Sequence, residues 1–538
     1  MIWLRNLLFI GLVCGGVIAL GANLMPPREP TPITQYDVST YRDIEFVASV
    51  ARVDNAFRDQ WKKEAIQPVA VAPDLLIARR LSLGLMGTVP SLEEIRQLEA
   101  LPPQDRLPWW LDHILHDRRF ADYFAERFAR ATVGTEDGPF ILYRRRRYVA
   151  WLSDELAMNR PYDQIVRDMI AGEGLWTDKP ATNFISVTLQ NDNEKQNVPN
   201  PVRLAGRVTR AFLGLRLDCA ECHNHPFSSW KRRDFEGFSA FFGQTHVGMT
   251  GIYDGPGEYE VEDRKTQEKS VVTPHVPFAE DLLPSTGTRR QQLAAWVTHP
   301  KNPYFARATV NRVWALMTGK PLADPIDNLE TETPIPAALQ FLADDFVAHN
   351  YDLQRLIRVI ASSEVFRLAS ESDRDIGEAE EKAWAIFPLT RLRPEQVSGS
   401  VLQAASITTS DSQAYILLRL MRFGQQNTFL QRYGDSGEDE FDNRGGTIPQ
   451  RLLLMNGELV RERIKENPIN ASDRISFLAP DDTCALEVSY LATLTRRPTP
   501  AETAHFEAFL RDPELKRAHR LEDIFWTLIN ATEFSWNH

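Results

Sequence analysis

Cys219, Cys222 and His223 are the residues of this chain whose types and spacing predict chemistry most directly. They lie in the segment Cys219-Ala220-Glu221-Cys222-His223. Covalent attachment of haem needs two thiols one helical turn apart to meet the two vinyl groups, and an imidazole directly after the second thiol to reach the iron. The segment therefore predicts bound haem c, with Cys219 and Cys222 as thioether anchors and His223 as the proximal ligand.

Two other interpretations of these residues stay open. Thiolates and imidazoles also bind zinc or iron, so Cys219, Cys222, His223 and His225 are candidate ligands of a metal ion without porphyrin. Structural zinc sites usually take ligand pairs from two separated segments, and no second Cys/His pair stands elsewhere in the sequence. The third interpretation is a local disulfide between Cys219 and Cys222, which an oxidising compartment favours.

The second axial ligand of such a haem is not fixed by the motif. His225 is too near in sequence, because two residues span at most about 7 Å and the chain would have to pass around the porphyrin edge. His246, Met249 and His275 are candidates further along the chain. A five-coordinate iron is the alternative.

The elements that must position this motif are mostly helices, since apolar residues recur at helical spacing along the chain. An amphipathic helix over roughly residues 202–217 leads into the motif and is expected to present it at its C-terminal end. Capping boxes headed by Ser91 and Thr499 each open a helix. Matched apolar positions then predict three helical hairpins, each closed by a phenylalanine: Leu107, Trp110, Ile114 and Phe120; Leu353, Leu356, Ile360 and Phe366; Leu521, Ile524, Leu528 and Phe534. The same spacing also marks any amphipathic helix, so the relation between the three copies is open.

The fold class predicted is mainly α, with two helical domains and a short β/loop insertion between them. Residues 1–25 are a signal peptide or membrane anchor, because residues 7–24 are almost purely apolar. Residues 26–40 form a polar leader, and residues 41–245 form a helical domain that contains the motif. A glycine-rich, β-branched insertion follows at 246–285, and residues 286–538 form the second helical domain.

Composition excludes some functions. A net charge of −12 argues against nucleic acid as a partner, and the arginine run at 144–147 is interpreted as the solvated face of a helix. The sequence has no phosphate-binding loop, nucleophile elbow or glycine-rich dinucleotide fingerprint. Acidic residues at 425–446 indicate a solvated loop, with calcium binding as the alternative.

The motif and its surroundings resemble a known family. Exported planctomycete proteins pair a cytochrome-c-like domain of unknown function with a second, planctomycete-specific domain of unknown function, and this chain is similar to them over nearly its whole mature length. The resemblance rests on residues 80–91, 160–164 and 212–215, on Cys219 to Phe227 with Trp230, and on residues 293–297, 311–314 and 530–538. It implies haem binding, but the family commonly has an acid where Ser228 stands here. The family's activity is not established, and its members are associated with cell-surface or polysaccharide-related systems.

Three functional hypotheses follow. The first is an exported haem protein of the periplasm or cell surface that passes electrons to a redox partner, with anchoring to the membrane through residues 7–24 as the alternative to cleavage of that segment. The second is a metal-dependent enzyme that uses zinc or iron at His223, His225 and a thiolate. The third is a non-catalytic scaffold for a cell-surface component or glycan.

Overall fold

A computed structural model gives the architecture. It describes residues 3, 5–6, 9–15, 38–135, 143–192, 195–224, 230–262, 267–329, 334–406, 408–409, 428–430, 432–434, 441, 447–465, 467, 470–511 and 515–538. Most of the apolar segment at 7–24, most of the acidic loop at 425–446, and His225 therefore lie outside the described residues. None of the helices in the described ranges is long and apolar enough to cross a membrane.

Helices dominate the first half of the chain, and local signals explain where they begin. The Asp43 carboxylate accepts hydrogen bonds from the backbone amides of Glu45 and Phe46, which caps the longest of these helices. Phe46, Val53 and Phe57 recur on its buried face. The helices are α1 (Ser39–Arg42), α2 (Ile44–Glu64), α3 (Asp74–Met86), α4 (Leu92–Glu99), α5 (Pro103–His116), α6 (Arg118–Val133), α7 (Arg145–Ala157), α8 (Tyr162–Ala171), α9 (Asn183–Ser186), α10 (Pro201–Val208) and α11 (Arg232–Ser239).

The β structure consists of small antiparallel pairs. Strand β1 (Gln190–Asp192) pairs with β2 (Lys195–Val198). The insertion predicted at 246–285 contains two further hairpins, β3 (Thr245–Gly248) with β4 (Gly251–Asp254) and β5 (Glu260–Glu262) with β6 (Lys269–Val271). Strand β7 (Thr390–Arg391) pairs with β8 (Trp536–Asn537), so residues 536–537 lie beside the middle of the second half.

The second half is again helical. Its helices are α12 (Arg289–Val297), α13 (Phe305–Thr318), α14 (Ala337–Ala348), α15 (Leu353–Ser362), α16 (Glu364–Arg367), α17 (Glu378–Lys382), α18 (Pro394–Ala404), α19 (Ile448–Asn456), α20 (Glu458–Ile464), α21 (Ala471–Leu478), α22 (Asp482–Leu494), α23 (Pro500–Leu510) and α24 (Arg517–Asn530). The mainly α class predicted from periodicity is confirmed, and the strands occur in two-stranded sheets.

The buried apolar side chains form two cores. The larger one combines α2 to α11 with α12 to α16, so it draws on both sides of the insertion. The smaller core takes most of its residues from Leu392 to Phe534, together with Leu83 and Val89. Helix α3 belongs to both, because Leu81 and Leu85 face the larger core while Leu83 faces the smaller. The domain limits given from the sequence stay a prediction.

Two consecutive buried arginines of α3 reach in different directions. Arg79 donates to the carbonyl oxygens of Thr493 and Phe534, at 3.1 and 3.3 Å. Arg80 donates to the carbonyls of Leu368 at 2.6 Å and Phe366 at 3.1 Å, and its guanidinium lies 3.7 Å from the centre of the Phe387 ring. These bonds satisfy carbonyls at helix ends that have no partner within their own helices. Helix α3 is thereby tied to two of the three hairpins.

The three predicted hairpins are present. They are formed by α4 with α5, α14 with α15 and α23 with α24. Phe120, Phe366 and Phe534 are each buried in the helical element that follows the second helix. Both predicted capping boxes form; in the first, the Glu94 amide donates to Ser91 Oγ at 3.1 Å and the Ser91 amide donates to the Glu94 carboxylate at 2.8 Å. The common origin of the copies stays a prediction.

Candidate functional site

The Cys-x-x-Cys-His segment lies on a short turn after a broken helix. Helix α10 continues as a π-helical turn to Leu213 and stops at Gly214, whose φ is 60°. A 3-10 turn, Leu217–Ala220, then carries Cys219. The helix expected over 202–217 thus ends four residues early, because Gly214 takes the left-handed conformation that terminates helices. The motif follows that helix as predicted, but on a separate turn.

The turn is anchored from inside and presents its reactive side chains outside. Leu217 and Ala220 are fully buried in the larger core. Cys219, Cys222 and His223 are exposed, and neither cysteine forms a disulfide bond. Both sulfurs are therefore accessible to a modifying group, and the backbone that carries them is fixed by apolar packing.

The imidazole of His223 has a defined tautomer. Its Nδ1 lies 2.7 Å from the carbonyl oxygen of Asn224. A carbonyl oxygen only accepts hydrogen bonds, so Nδ1 carries the proton and donates it. Nε2 then holds the lone pair, which is the arrangement that metal-bound histidines usually show.

Asn224 also connects the turn to α11. Its side-chain oxygen accepts a hydrogen bond of 3.1 Å from the backbone amide of Arg232, in the first turn of α11. The same helix end is closed by Asp234, which accepts from the Lys231 amide at 2.8 Å. The backbone carbonyl of Asn224 therefore accepts a hydrogen bond from the histidine, and its side-chain oxygen accepts one from the neighbouring helix.

Charged pairs surround the base of the turn. Arg210 lies 2.7 Å from the Asp218 carboxylate, and Arg216 lies 2.8 Å from Asp327. Partial burial alone would lower the pKa of Arg210, but Asp218 holds it above its ordinary value. These ion pairs hold the segment between Gly214 and Cys219 in place. One of their carboxylates, that of Asp327, belongs to a loop in the second half of the chain.

The candidate second axial ligands occupy different places. His246 is on β3 and its Nε2 lies 2.9 Å from the Pro256 carbonyl oxygen. His275 lies against α11 at Gly237, with its Nε2 3.8 Å from Asp234. Met249 is fully exposed at the β3–β4 turn. None of the three is singled out as an iron ligand, and His225 lies outside the described residues.

The described donor set supplies the groups that covalent haem attachment would use. Two accessible thiols and an imidazole with an available Nε2 are the groups that covalent attachment uses. A metal ion needs its ligand atoms gathered, and the ligand atoms of Cys219, Cys222 and His223 do not all lie within 4.8 Å of one another. The described residues of the motif thus do not form a three-ligand metal cluster by themselves.

A separate group of possible metal ligands was not predicted from the sequence. Glu94, His113 and Asp117 bring one ligand atom each to within 4.8 Å of the others, and they form the one such group among the described residues. Arg119 pairs with both Glu94 and Asp117 and supplies the positive charge that a cation would bring. Burial would raise the pKa of Glu94, but Arg119 and His113 hold it well below its usual range. This cluster is a structural ion network.

Comparison with known families yields two matches. Residues 52–247 match PSCyt2, described as a protein of unknown function (DUF1549). Residues 289–415 match PSD1, described as a protein of unknown function (DUF1553). The first match contains the whole motif, and the range between the two matches lies within the β/loop insertion and its flanks. No curated protein and no solved structure matches the chain.

Proposed function

Because the chain belongs to the proteins that pair a PSCyt2 domain with a PSD1 domain, we propose that it binds haem c covalently through Cys219 and Cys222, with His223 as proximal ligand. The observation that carries this proposal is the hydrogen bond from His223 Nδ1 to the Asn224 carbonyl. It leaves Nε2 as the available nitrogen on a residue that directly follows an exposed thiol.

The protein's own residues hold and orient the group. Leu217 and Ala220 fix the turn in the core, so the two thiols keep their spacing before attachment. Asn224 holds the imidazole proton at Nδ1, and its side-chain oxygen ties the turn to the first turn of α11. A histidine held in this way needs little reorganisation to bind a metal centre.

A bound haem c supplies a one-electron couple. The exposure of Cys219, Cys222 and His223 favours electron exchange with a partner that docks on this surface. The apolar segment at 7–24 supports export, and we place the protein in the periplasm or at the cell surface.

Expression of the full chain with haem-maturation machinery tests the proposal. We expect a red protein whose haem stays bound after denaturation. The double variant Cys219→Ser, Cys222→Ser should lose all covalent haem, while Cys484→Ser, which changes the half-buried cysteine of α22, should keep it. The control separates loss of the motif from loss of a thiol in general.

Two results contradict the proposal. Protein from the native host with stoichiometric zinc or iron and no porphyrin would indicate the metal-dependent alternative. Normal cellular function of the double serine variant would indicate a scaffold in which the cysteines have no redox role.

A further inference from the structure

A polar cavity lies where the two cores meet, and the proposed haem site takes no part in it. Its volume is about 600 Å³, within the range of roughly 300–1,000 Å³ that is usual for small-molecule sites. The lining comes from the loop after α13, from β7 and β8, and from the start of α18. It contains none of the residues 219–223.

Two cations of the lining have no acidic partner in the described part of the chain. The Arg391 guanidinium donates to the Tyr433 hydroxyl at 3.2 Å, which is a neutral acceptor. The Lys320 ammonium lies 6.0 Å from the centre of the Trp384 ring. Both side chains are half-buried. Arg393 also lines the cavity, but it is paired with Glu395 at 3.3 Å. Arg391 and Lys320 thus remain available for an anion.

Acidic residues of the same lining do not neutralise these cations. Asp324 and Glu381 line the cavity too, but both are exposed. Among the described residues, the contacts of Arg391 and Lys320 are to the Tyr433 hydroxyl and the Trp384 ring and not to these carboxylates. Within that part of the lining, both cations therefore keep their positive charge toward the cavity.

Asn537 adds an unused hydrogen-bonding group. This residue is 4% exposed, it lines the cavity, and its side-chain oxygen is buried without a hydrogen-bond partner. A buried amide oxygen without a donor is unfavourable, and a bound hydroxyl or amine would supply the missing donor. Arg391 and Asn537 stand on the two paired strands β7 and β8, and both line this one cavity.

We propose that this cavity binds a small hydroxylated anion of the sugar-acid or sugar-phosphate class. Arg391 and Lys320 contact its carboxylate or phosphate, since a guanidinium pairs well with planar or tetrahedral oxyanions. Asn537 accepts a hydrogen bond from a hydroxyl. Phe387 and Pro388 supply apolar surface beside these groups.

Calorimetric titration of the full chain with D-glucuronate, glucose 6-phosphate and glucose tests the proposal. We expect at least one of the two anions to bind with a dissociation constant on the order of 1 mM or tighter, and glucose to bind at least about tenfold more weakly. Binding of glucuronate alone identifies a carboxylate ligand, and binding of glucose 6-phosphate alone identifies a phosphate ligand.

Variants tie the binding to the cavity. Arg391→Gln should weaken anion binding about tenfold or more, and Asn537→Ala should weaken it too, whereas Lys62→Gln, at an exposed lysine of α2, should leave it unchanged. If Arg391→Gln loses the helical circular dichroism of the parent, Lys320→Gln replaces it. Failure of both anions to bind, equal affinity for glucose, or unchanged affinity in the folded cavity variants would overturn the proposal.

Discussion

At the scale of single residues, the central group is the imidazole of His223. Its proton is held at Nδ1 by the Asn224 carbonyl, so the ring is prepared to use Nε2. We predict that His223→Ala, matured with haem, keeps covalent haem through Cys219 and Cys222 but shows a changed absorption spectrum, which added imidazole restores in part. A matched His505→Ala variant, at a histidine of α23, should give the parent spectrum.

An unchanged spectrum in His223→Ala would mean that another residue binds the iron. His246 and His275 would then be the residues to replace next, since both lie in or beside the β/loop insertion that follows the motif.

Arg496, Glu502 and Glu533 form an ion network whose pH dependence is predictable. The Arg496 guanidinium lies 2.9 Å from Glu502 and 2.7 Å from Glu533. The hydrogen bond from Arg496 lowers the pKa of Glu502 to about 2. Burial alone would raise the pKa of Glu533, but His538 and Arg496 lower it to about 2.

Both carboxyls therefore have pKa values below those of the unfolded chain. Their contribution to the free energy of unfolding is present above the ordinary pKa of 4.5 and is lost as the pH falls toward about 2. We predict that Glu533→Gln lowers the urea midpoint at neutral pH and that the difference from the parent shrinks below about pH 4. A difference that stays constant with pH would contradict this assignment.

Not all of the residues in these sites could be predicted from sequence. Cys219, Cys222 and His223 are adjacent, so their spacing alone indicated chemistry. Glu94 and His113 come from different helices, and Lys320 and Asn537 are more than two hundred positions apart. Such groups meet through the packing of elements, and no local pattern contains that information.

At the scale of elements, Gly214 decides where the helix before the motif ends. Its φ is 60°, and a Cβ placed there would lie 3.0 Å from Leu329 Cγ and 3.3 Å from Ala308 Cβ. We predict that Gly214→Ala lowers the free energy of unfolding by at least about 1 kcal/mol and reduces the yield of covalent haem. Urea unfolding followed by circular dichroism measures the first effect.

Gly206 provides a matched control for this prediction. It lies inside α10, and a Cβ there would be in ordinary contact with Asp218 at 3.4 Å. Gly206→Ala should therefore be neutral or stabilising by up to about 1 kcal/mol. Equal effects of the two substitutions would show that the left-handed conformation of Gly214 is not what matters.

Helix α3 depends on the hydrogen bonds of Arg80. Its guanidinium is buried and satisfies the carbonyls of Phe366, Leu368 and His538. Burial lowers the pKa of Arg80, yet removing the side chain would leave several carbonyls without donors. We predict that Arg80→Met lowers the free energy of unfolding by about 2–4 kcal/mol.

Arg42→Met is the control for Arg80→Met. The side chain of Arg42 is 72% exposed and its nearest carboxylate, that of Asp105, is 3.8 Å away. Exposed pairs of this kind contribute about 0–1 kcal/mol. A loss in Arg80→Met no larger than in Arg42→Met would mean that the burial cost of the arginine offsets its hydrogen bonds.

Most helix positions could be predicted from the sequence, because capping residues and apolar periodicity are patterns of residues close together in the chain. The boxes at Ser91 and Thr499 begin helices as predicted, and the apolar positions of the three hairpins are buried almost throughout. The helix end at Leu213 was missed, because the apolar pattern continues through Leu215 and Leu217 after the backbone has already turned at Gly214.

At the scale of the whole molecule, the two cores share one helix. Leu83 belongs to the smaller core, while its neighbours Leu81 and Leu85 belong to the larger. Helical periodicity in a sequence does not tell that α3 packs its opposite faces against two different cores. For that reason the sequence could predict the fold class but not the arrangement of the two halves.

This sharing predicts how the chain behaves when it is cut. A fragment of residues 286–538 lacks Leu83 and Val89 of the smaller core and the Arg79 hydrogen bonds to Thr493 and Phe534. We expect the fragment to show no cooperative unfolding transition in urea, whereas residues 38–538 unfold cooperatively. A cooperative transition of the fragment would indicate an independent second domain.

Mass analysis of the tryptic peptide from Leu217 to Lys231 tests the central claim most directly. In protein matured with haem, we predict that this peptide carries the added mass of one haem, and that the peptide of the Cys219→Ser, Cys222→Ser variant carries none. An unmodified peptide with two reduced thiols, or one with an internal disulfide, recovered from fully matured native protein would contradict the account.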